Sequence, residues 1–362
     1  MQFNENNIRL TSAEMSQLWG AYINDSLAVC VLKYFLEKVE DKEIRPILEQ
    51  TFELSESHLE KLTSIFTVEN FPIPQGFTDE DININAPRLY SDTYFLKYVY
   101  QMSQLGLNAY SIALPTVTRA DILAYFSECL TEFIELHKMT TNLLLSKGLY
   151  IRPPYIPTPK EVDFVKSKSF LAGWLGERRP LLALEISNLF NNIQRNALGV
   201  ATLLGFSQVA NSKEVRQYMV HGKEIASKHV EIFGSILREE NLPVPMTWDS
   251  EVTDSTVSPF SDKLMMFQTT ALNGIGMGYY GASIATSPRH DLATHYARLS
   301  FEIGKYSEEG TKIMFENGWF EQPPQGLIGM NWQREKVKNT SNLWAPILKV
   351  PSFGIVVSIF MI

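Results

Sequence analysis

The sequence predicts an all-α protein built from two tandem four-helix bundles, each with a long crossover between its second and third helices. Three observations carry that prediction. The chain is written twice, apolar residues recur at helical spacing through both copies, and each copy links its apolar stripes by a short, a long and a short connection.

The duplication shows first in an irregular phrase, ENFPIPQ at 69–75, which returns as ENLPVPM at 240–246. Setting 14–66 against 185–237 without a gap aligns Glu14 with Glu185, Leu32 with Leu203, Phe35 with Phe206 and His58 with His229. Past the phrase the offset falls from 171 to 170 and pairs Ser91-Asp92 with Ser261-Asp262, Arg119 with Arg289, Asp121 with Asp291 and Glu132 with Glu302. The expected layout is a first bundle over 8–149, a Pro-rich connector with an added helical segment over 150–178, and a second bundle over 179–324. The sequence leaves open the order and role of the tail, 325–362.

Each element of the first unit has its own justification. Met15, Leu18, Trp19, Tyr22, Ser26, Val29 and Leu36 make the stripe of a first helix, and Ile44, Leu48, Ser55, Leu59, Leu62 and Phe66 that of a second. The polar break Glu40-Asp41-Lys42 is short enough to make them antiparallel neighbours. The next segment, 67–90, carries Pro72, Pro74, Gly76 and Pro87 and cannot be regular helix. Ser91 or Asp92 caps a third helix with Phe95, Tyr98, Val99, Met102 and Leu105 inward. Pro115 to Thr118 ends it, and Asp121 lies in the first turn of a fourth helix with Ile122, Phe126, Cys129, Phe133 and Leu136 inward. A single long crossover between two helical pairs is the ferritin-like arrangement. The first helix is apolar nearly all round from Leu27 to Leu36, so it is expected to contact the sister unit as well.

Composition excludes several classes of function. The net charge of −8 comes without a basic stripe, so nucleic acid is not an expected partner. The two cysteines, Cys30 and Cys129, lie in apolar helical patterns and are expected as buried reduced thiols. The N-terminal stretch lacks the charged-then-apolar pattern of a signal peptide, so secretion by a cleaved peptide is not expected and a cytoplasmic protein fits. The most apolar run, 350–362, falls short of the roughly 20 residues a membrane span needs.

The segments FLAGWLGERRPLLALEISNLFNNI (170–193), GFSQVANSKEVRQYMVHGKEIASKH (205–229), SPFSDKLMM (258–266) and WFEQPP (319–324) resemble an uncharacterised family of spore-forming bacteria, domain of unknown function 3231. The resemblance covers about residues 8–324 and implies a tandem ferritin-like protein distantly similar to the spore coat protein F-like group. It brings no activity, and the tail after Pro324 departs from the family's pattern.

A dinuclear metal bundle needs Glu-x-x-His on two of its helices, because three-residue spacing sets both ligands on one face. His58 follows Ser55 and His137 follows Ile134 at that spacing, so no metal site is expected. Glu49, Glu53, Glu56 and Glu60 fall on the opposite, solvated face, and Glu132/Glu302 on a flank. The inward polar residues are Asp25, Lys33, His58 and His137 in the first unit, with Asn196 and His229 in the second. Of these Asp25, His58, His137 and His229 are the metal candidates, and a core histidine hydrogen-bonded to a neighbouring helix is the competing reading. GIGMGYYG (274–281) has no strand before it and is expected to allow close helix packing rather than to cradle a phosphate. No catalytic or cofactor-binding residue emerges. The leading expectation is therefore a non-enzymatic helical-bundle protein associated with spore or coat, with other subunits or coat proteins as partners and an oligomer left open. One alternative is a degenerate ferritin-like metal or oxidant-handling protein binding iron or manganese. The other is a small-molecule binding bundle using Trp19, Tyr22, Phe95 and Tyr98.

Overall fold

The computed structural model describes residues 8–174 and 178–325; the apolar run 350–362 lies outside them. Eight α-helices and no strands occur among the described residues: α1 Ser12–Lys38, α2 Arg45–Val68, α3 Asp92–Ala113, α4 Ala120–Ser146, α5 Ala183–Val209, α6 Lys213–Glu239, α7 Asp262–Thr286 and α8 His290–Glu316. In both halves the second and third helices are separated by a long crossover that holds one short 3-10 turn, Asp79–Asp81 or Asp249–Glu251, and within each half the first pair and the second pair of helices pack together. No helix among them is long and apolar enough to cross a membrane. The connector holds one four-residue 3-10 turn, Lys168–Leu171.

Residues shared by the two halves tie the helix ends. Glu14 is fully buried and accepts from the Thr11 backbone N–H at 2.8 Å, completing a capping box at the start of α1. Its other oxygen accepts from the N–H groups of Thr118 and Arg119 at 2.9 and 2.8 Å, so one carboxylate joins the N-termini of α1 and α4. Burial opposes the charge, but these donors prevail and lower its pKa to about 2. Glu185 does the same in the second half with Leu182, Arg289 and Arg179.

The repeated phrase is a helix stop. Asn70 and Asn241 adopt left-handed φ values of 53° and 57°, and the following N–H groups, of Phe71 and Leu242, reach back to Phe66 and Leu237 at 2.9 Å. Such a Schellman ending favours glycine or asparagine at the left-handed position. The preceding glutamates, Glu69 and Glu240, each accept from the arginine that opens the fourth helix of their own half, Arg119 and Arg289. Both arginines also fork onto the aspartate two residues on, Asp121 and Asp291.

The two crossovers pair with each other about a local two-fold relation. Asn83 N–H donates to the Pro259 carbonyl at 2.8 Å and Thr253 N–H to that of Leu89 at 2.9 Å. Ser91 N–H donates to the Glu251 carbonyl at 2.9 Å and Ser261 N–H to that of Asp81 at 2.8 Å, and isolated antiparallel bridges form at Ile82–Phe260 and Tyr90–Val252. Ser91 and Ser261 are the N-caps of α3 and α7, and their hydroxyls donate to the side chains of Glu251 and Asp81 in the opposite crossover. The apolar girth of α1 serves this junction, where the Tyr34 ring meets Phe260 at 5.2 Å. One core cluster accordingly runs from Leu18 and Phe35 through Phe260 to Phe206 and Met265.

Candidate functional site

The two halves place their shared histidine and shared glutamate together. In the first bundle α2 carries His58 and α4 carries Cys129 and Glu132, three residues apart on one face. His58 Nε2 lies 2.7 Å from Glu132 Oε2, and its Nδ1 faces Asp25 Oδ2 of α1 across 3.5 Å. Neither Nδ1 nor Oδ2 has another hydrogen-bond partner. The side chain of His58 is fully buried among the rings of Tyr110, Tyr125 and Phe133. Burial disfavours an imidazolium there, but the carboxylates on both sides outweigh it and raise the pKa of His58 to about 12. Burial also pushes the Asp25 carboxyl up, so the pair holds its proton tightly, and we place it on His58.

The second bundle repeats the frame with other partners. His229 Nε2 lies 3.1 Å from Glu302 Oε2, and Nδ1 lies 2.9 Å from Tyr280 Oη. Asn196, at the position of Asp25, donates its amide to Tyr280 Oη at 2.8 Å. That phenol therefore gives its own proton to His229 Nδ1, and Nε2–H donates to Glu302. The imidazole is neutral, and burial lowers its pKa even against the pull of Glu302. Lys228 occupies the other oxygen of Glu302.

Among the described residues, the donor atoms of His58, Cys129 and Glu132 lie within 4.8 Å of one another, which is a donor set for one ion. It does not fit a dinuclear carboxylate centre, because Ser55 and Ala226 stand where each histidine would need a glutamate three residues earlier. Metal at His58 would also have to displace the proton it shares with Asp25. In the second bundle Leu299 replaces Cys129 and Asn196 replaces Asp25.

Both nodes form walls of one cavity of about 540 Å³ between the bundles, bordered by Asp25 and Tyr110 on one side and His229 and Tyr280 on the other. The lining is mostly apolar, with Leu105, Leu203, Ile225 and Ile303 among its contributors. Exposed residues of α3, Asn108 and Ile112, stand at its rim, where the Asn108 amide donates to Tyr279 Oη.

The model of the family described as "Protein of unknown function (DUF3231)" matches residues 1–162 and again residues 169–328. The chain belongs to this family. Its two DUF3231 units correspond to the two halves related by the duplication. Among solved structures, a protein from Bacillus halodurans, provisionally named a spore coat protein, is similar at 16% identity and a TM-score of 0.39, over 43% of this chain and all of that one. No curated protein matches this DUF3231 chain.

Of the residues singled out from sequence, Asp25 and His58 are brought together, and His229 forms its own node with Asn196 near by. His137 joins neither: it is half-buried, bonded to Ser103 Oγ at 3.0 Å and stacked on Tyr100. Lys33 is not inward, since its flexible stem carries the ammonium out to Asp79 at 2.5 Å. The Glu49–Glu60 stripe is exposed, and both cysteines are free and buried. Glu132 and Glu302 start on a flank, yet their side chains reach in to the histidines. Of the four aromatic residues proposed to line a ligand space, only Tyr98 borders the cavity; Trp19 and Phe95 are core. Two of the four glycines of GIGMGYYG, Gly276 and Gly281, are not sites of close helix approach. A Cβ on Gly276 would meet only Ile303 Cδ1 at 3.9 Å, and one on Gly281 would meet nothing within 4 Å. Gly274, Gly276 and Gly278 instead leave the volume of the cavity open.

Proposed function

We propose that the protein is a non-enzymatic binding protein that holds a small, largely apolar molecule between its two bundles. The observation that carries this reading is the cavity itself: its volume of about 540 Å³ falls within the roughly 300–1,000 Å³ of ligand pockets, and its walls are mostly apolar with a few polar groups. The histidine nodes support binding over turnover. Both ring nitrogens of His229 are engaged by protein side chains, and His58 stands between two carboxylates, so neither is presented to a ligand as an acid or base.

Fluorescence titration with the neutral dye Nile red tests the reading. One dye should bind per chain, and Gly276→Phe, which projects a ring into the cavity, should sharply weaken binding while leaving the helical circular dichroism unchanged. A wild-type protein that takes up no dye, or binding that survives Gly276→Phe in full, overturns it. Spore or coat association, as the sequence resemblance implies, is the cellular setting we propose for this binding. Immunoblots of fractionated spores check it, and protein confined to the vegetative lysate would remove that setting.

A further inference from the structure

Arg195, in the middle of α5, is a cation of the cavity wall without an anion. Among the described residues, no carboxylate lies within 4 Å of its guanidinium. Its contacts are the Tyr279 ring, with Cζ 3.4 Å from the centroid, and Asn192 Oδ1 at 3.4 Å; its Nε has no hydrogen-bond partner. Burial disfavours its charge, and the groups that oppose this are phenols rather than carboxylates. Asp25, the acidic residue of the same wall, faces His58 instead. A half-buried guanidinium with no anion beside it is free to take one, and its planar fork suits a carboxylate.

A second observation points into the same space. Gln268 is 4% exposed and borders the cavity, yet only its amide nitrogen has a partner, Tyr98 Oη at 3.2 Å, while its Oε1 has none. Asn273 Nδ2, also on the wall, is likewise unpartnered. Turning the Gln268 amide over lets Tyr98 O–H donate to the oxygen and frees the NH₂ as a donor to the cavity. The wall thus offers a cation and amide donors without bound acceptors, set in apolar surroundings that exclude a strongly hydrated small anion.

We infer that the ligand is an apolar monocarboxylate of the fatty-acid class, its carboxylate held by Arg195 and its chain by the apolar walls between the bundles. This rests on the binding reading above and adds the identity of the ligand's polar end. Arg195 stacked on Tyr279 is already oriented, so little side-chain freedom is lost when the acid binds.

Calorimetric titration of the full chain with laurate and with 1-dodecanol, each below its aggregation limit, tests the inference. The wild type should bind laurate at least about tenfold more tightly than dodecanol, and Arg195→Gln should erase that preference while dodecanol and Nile red bind as before. Retained dodecanol binding shows that the variant is folded. Equal affinity for acid and alcohol in the wild type, or equal weakening of both by Arg195→Gln, overturns the carboxylate anchor while leaving the binding reading standing. Failure of laurate, dodecanol and Nile red alike overturns both.

Discussion

In the first bundle His58 lies between two carboxylates, Asp25 and Glu132, whereas in the second the corresponding His229 lies between a phenol and a carboxylate, Tyr280 and Glu302. The backbone positions are equivalent and the histidine–glutamate contact is common to both. What differs is the residue delivered by the first helix of each half. Asp25 holds His58 as an imidazolium; Asn196 orients the Tyr280 hydroxyl so that it donates to a neutral His229. One exchange between acid and amide therefore sets the charge of a core histidine without altering the helical frame. The histidine–glutamate contact belongs to the fold, and the aspartate is particular to the first half.

The strongest way to break this comparison is to remove the histidines. His58→Leu leaves the buried Asp25 without its cation, and the half-buried Glu132 with only Lys61 acting on it, and should cost about 3–5 kcal/mol. His229→Leu strands only neutral Tyr280 and a glutamate still bonded to Lys228, and should cost about 1–3 kcal/mol. Urea unfolding of both variants checks the order, and a His229→Leu loss as large as that of His58→Leu would end the claim that the two nodes differ in charge.

The pH dependence has opposite signs in the two halves. His58, raised from 6.5 to about 12 in the folded state, contributes stability that is complete below pH 6.5 and is lost as pH rises toward 12. His229 is lowered, so its contribution is complete above pH 6.5 and is lost as pH falls through its folded value. Denaturation series should show wild-type stability falling between pH 7 and 10 by up to about 1.4 kcal/mol per pH unit, a slope that Asp25→Asn reduces. Below pH 6.5, His229→Gln should flatten the acid limb. An alkaline slope that Asp25→Asn leaves unchanged would assign it to another group.

A smaller effect sharpens the symmetry of the junction. Ser91→Ala and Ser261→Ala each remove a helix cap together with its bond to the opposite crossover and should each cost about 1–2 kcal/mol. A loss confined to one of them would show that the two crossovers do not bear on each other equally. The smallest effect has the opposite sign. Gly199, in mid-helix on the cavity wall, has nothing within 4 Å of an added Cβ, and its counterpart in the first half is the buried Ala28. Gly199→Ala should raise stability by about 0.4–1 kcal/mol, read as an increase in Tm.

Much of the fold was legible because its signals are local. The stripe of α3, the cap at Ser91, the break at Pro115 and the helix stop at ENFPIPQ each depend on a few adjacent residues. The site was legible in part. The duplication had already marked His58/His229 and Glu132/Glu302 as shared, and that sharing could have suggested their contact. A helical wheel places only the start of a side chain, so it set Glu132 on a flank and Lys33 inward, although flexible side-chain torsions bring the first in and carry the second out. Arg195 and Gln268 left no signal, since an unpaired arginine can be recognised only against the surroundings that fail to pair with it.

The sequence by itself determined the eight helices found among the described residues, the breaks between them, the doubled plan and the family, because periodicity, caps and turn residues act over a few positions and the second copy repeats them. Only the tertiary structure decided that the crossovers pair with each other, that His58 and His229 carry different charge, and that the glycines of α7 open a cavity. Those outcomes depend on which side chains meet between elements far apart in the sequence, where desolvation and the partner's proton set the energy.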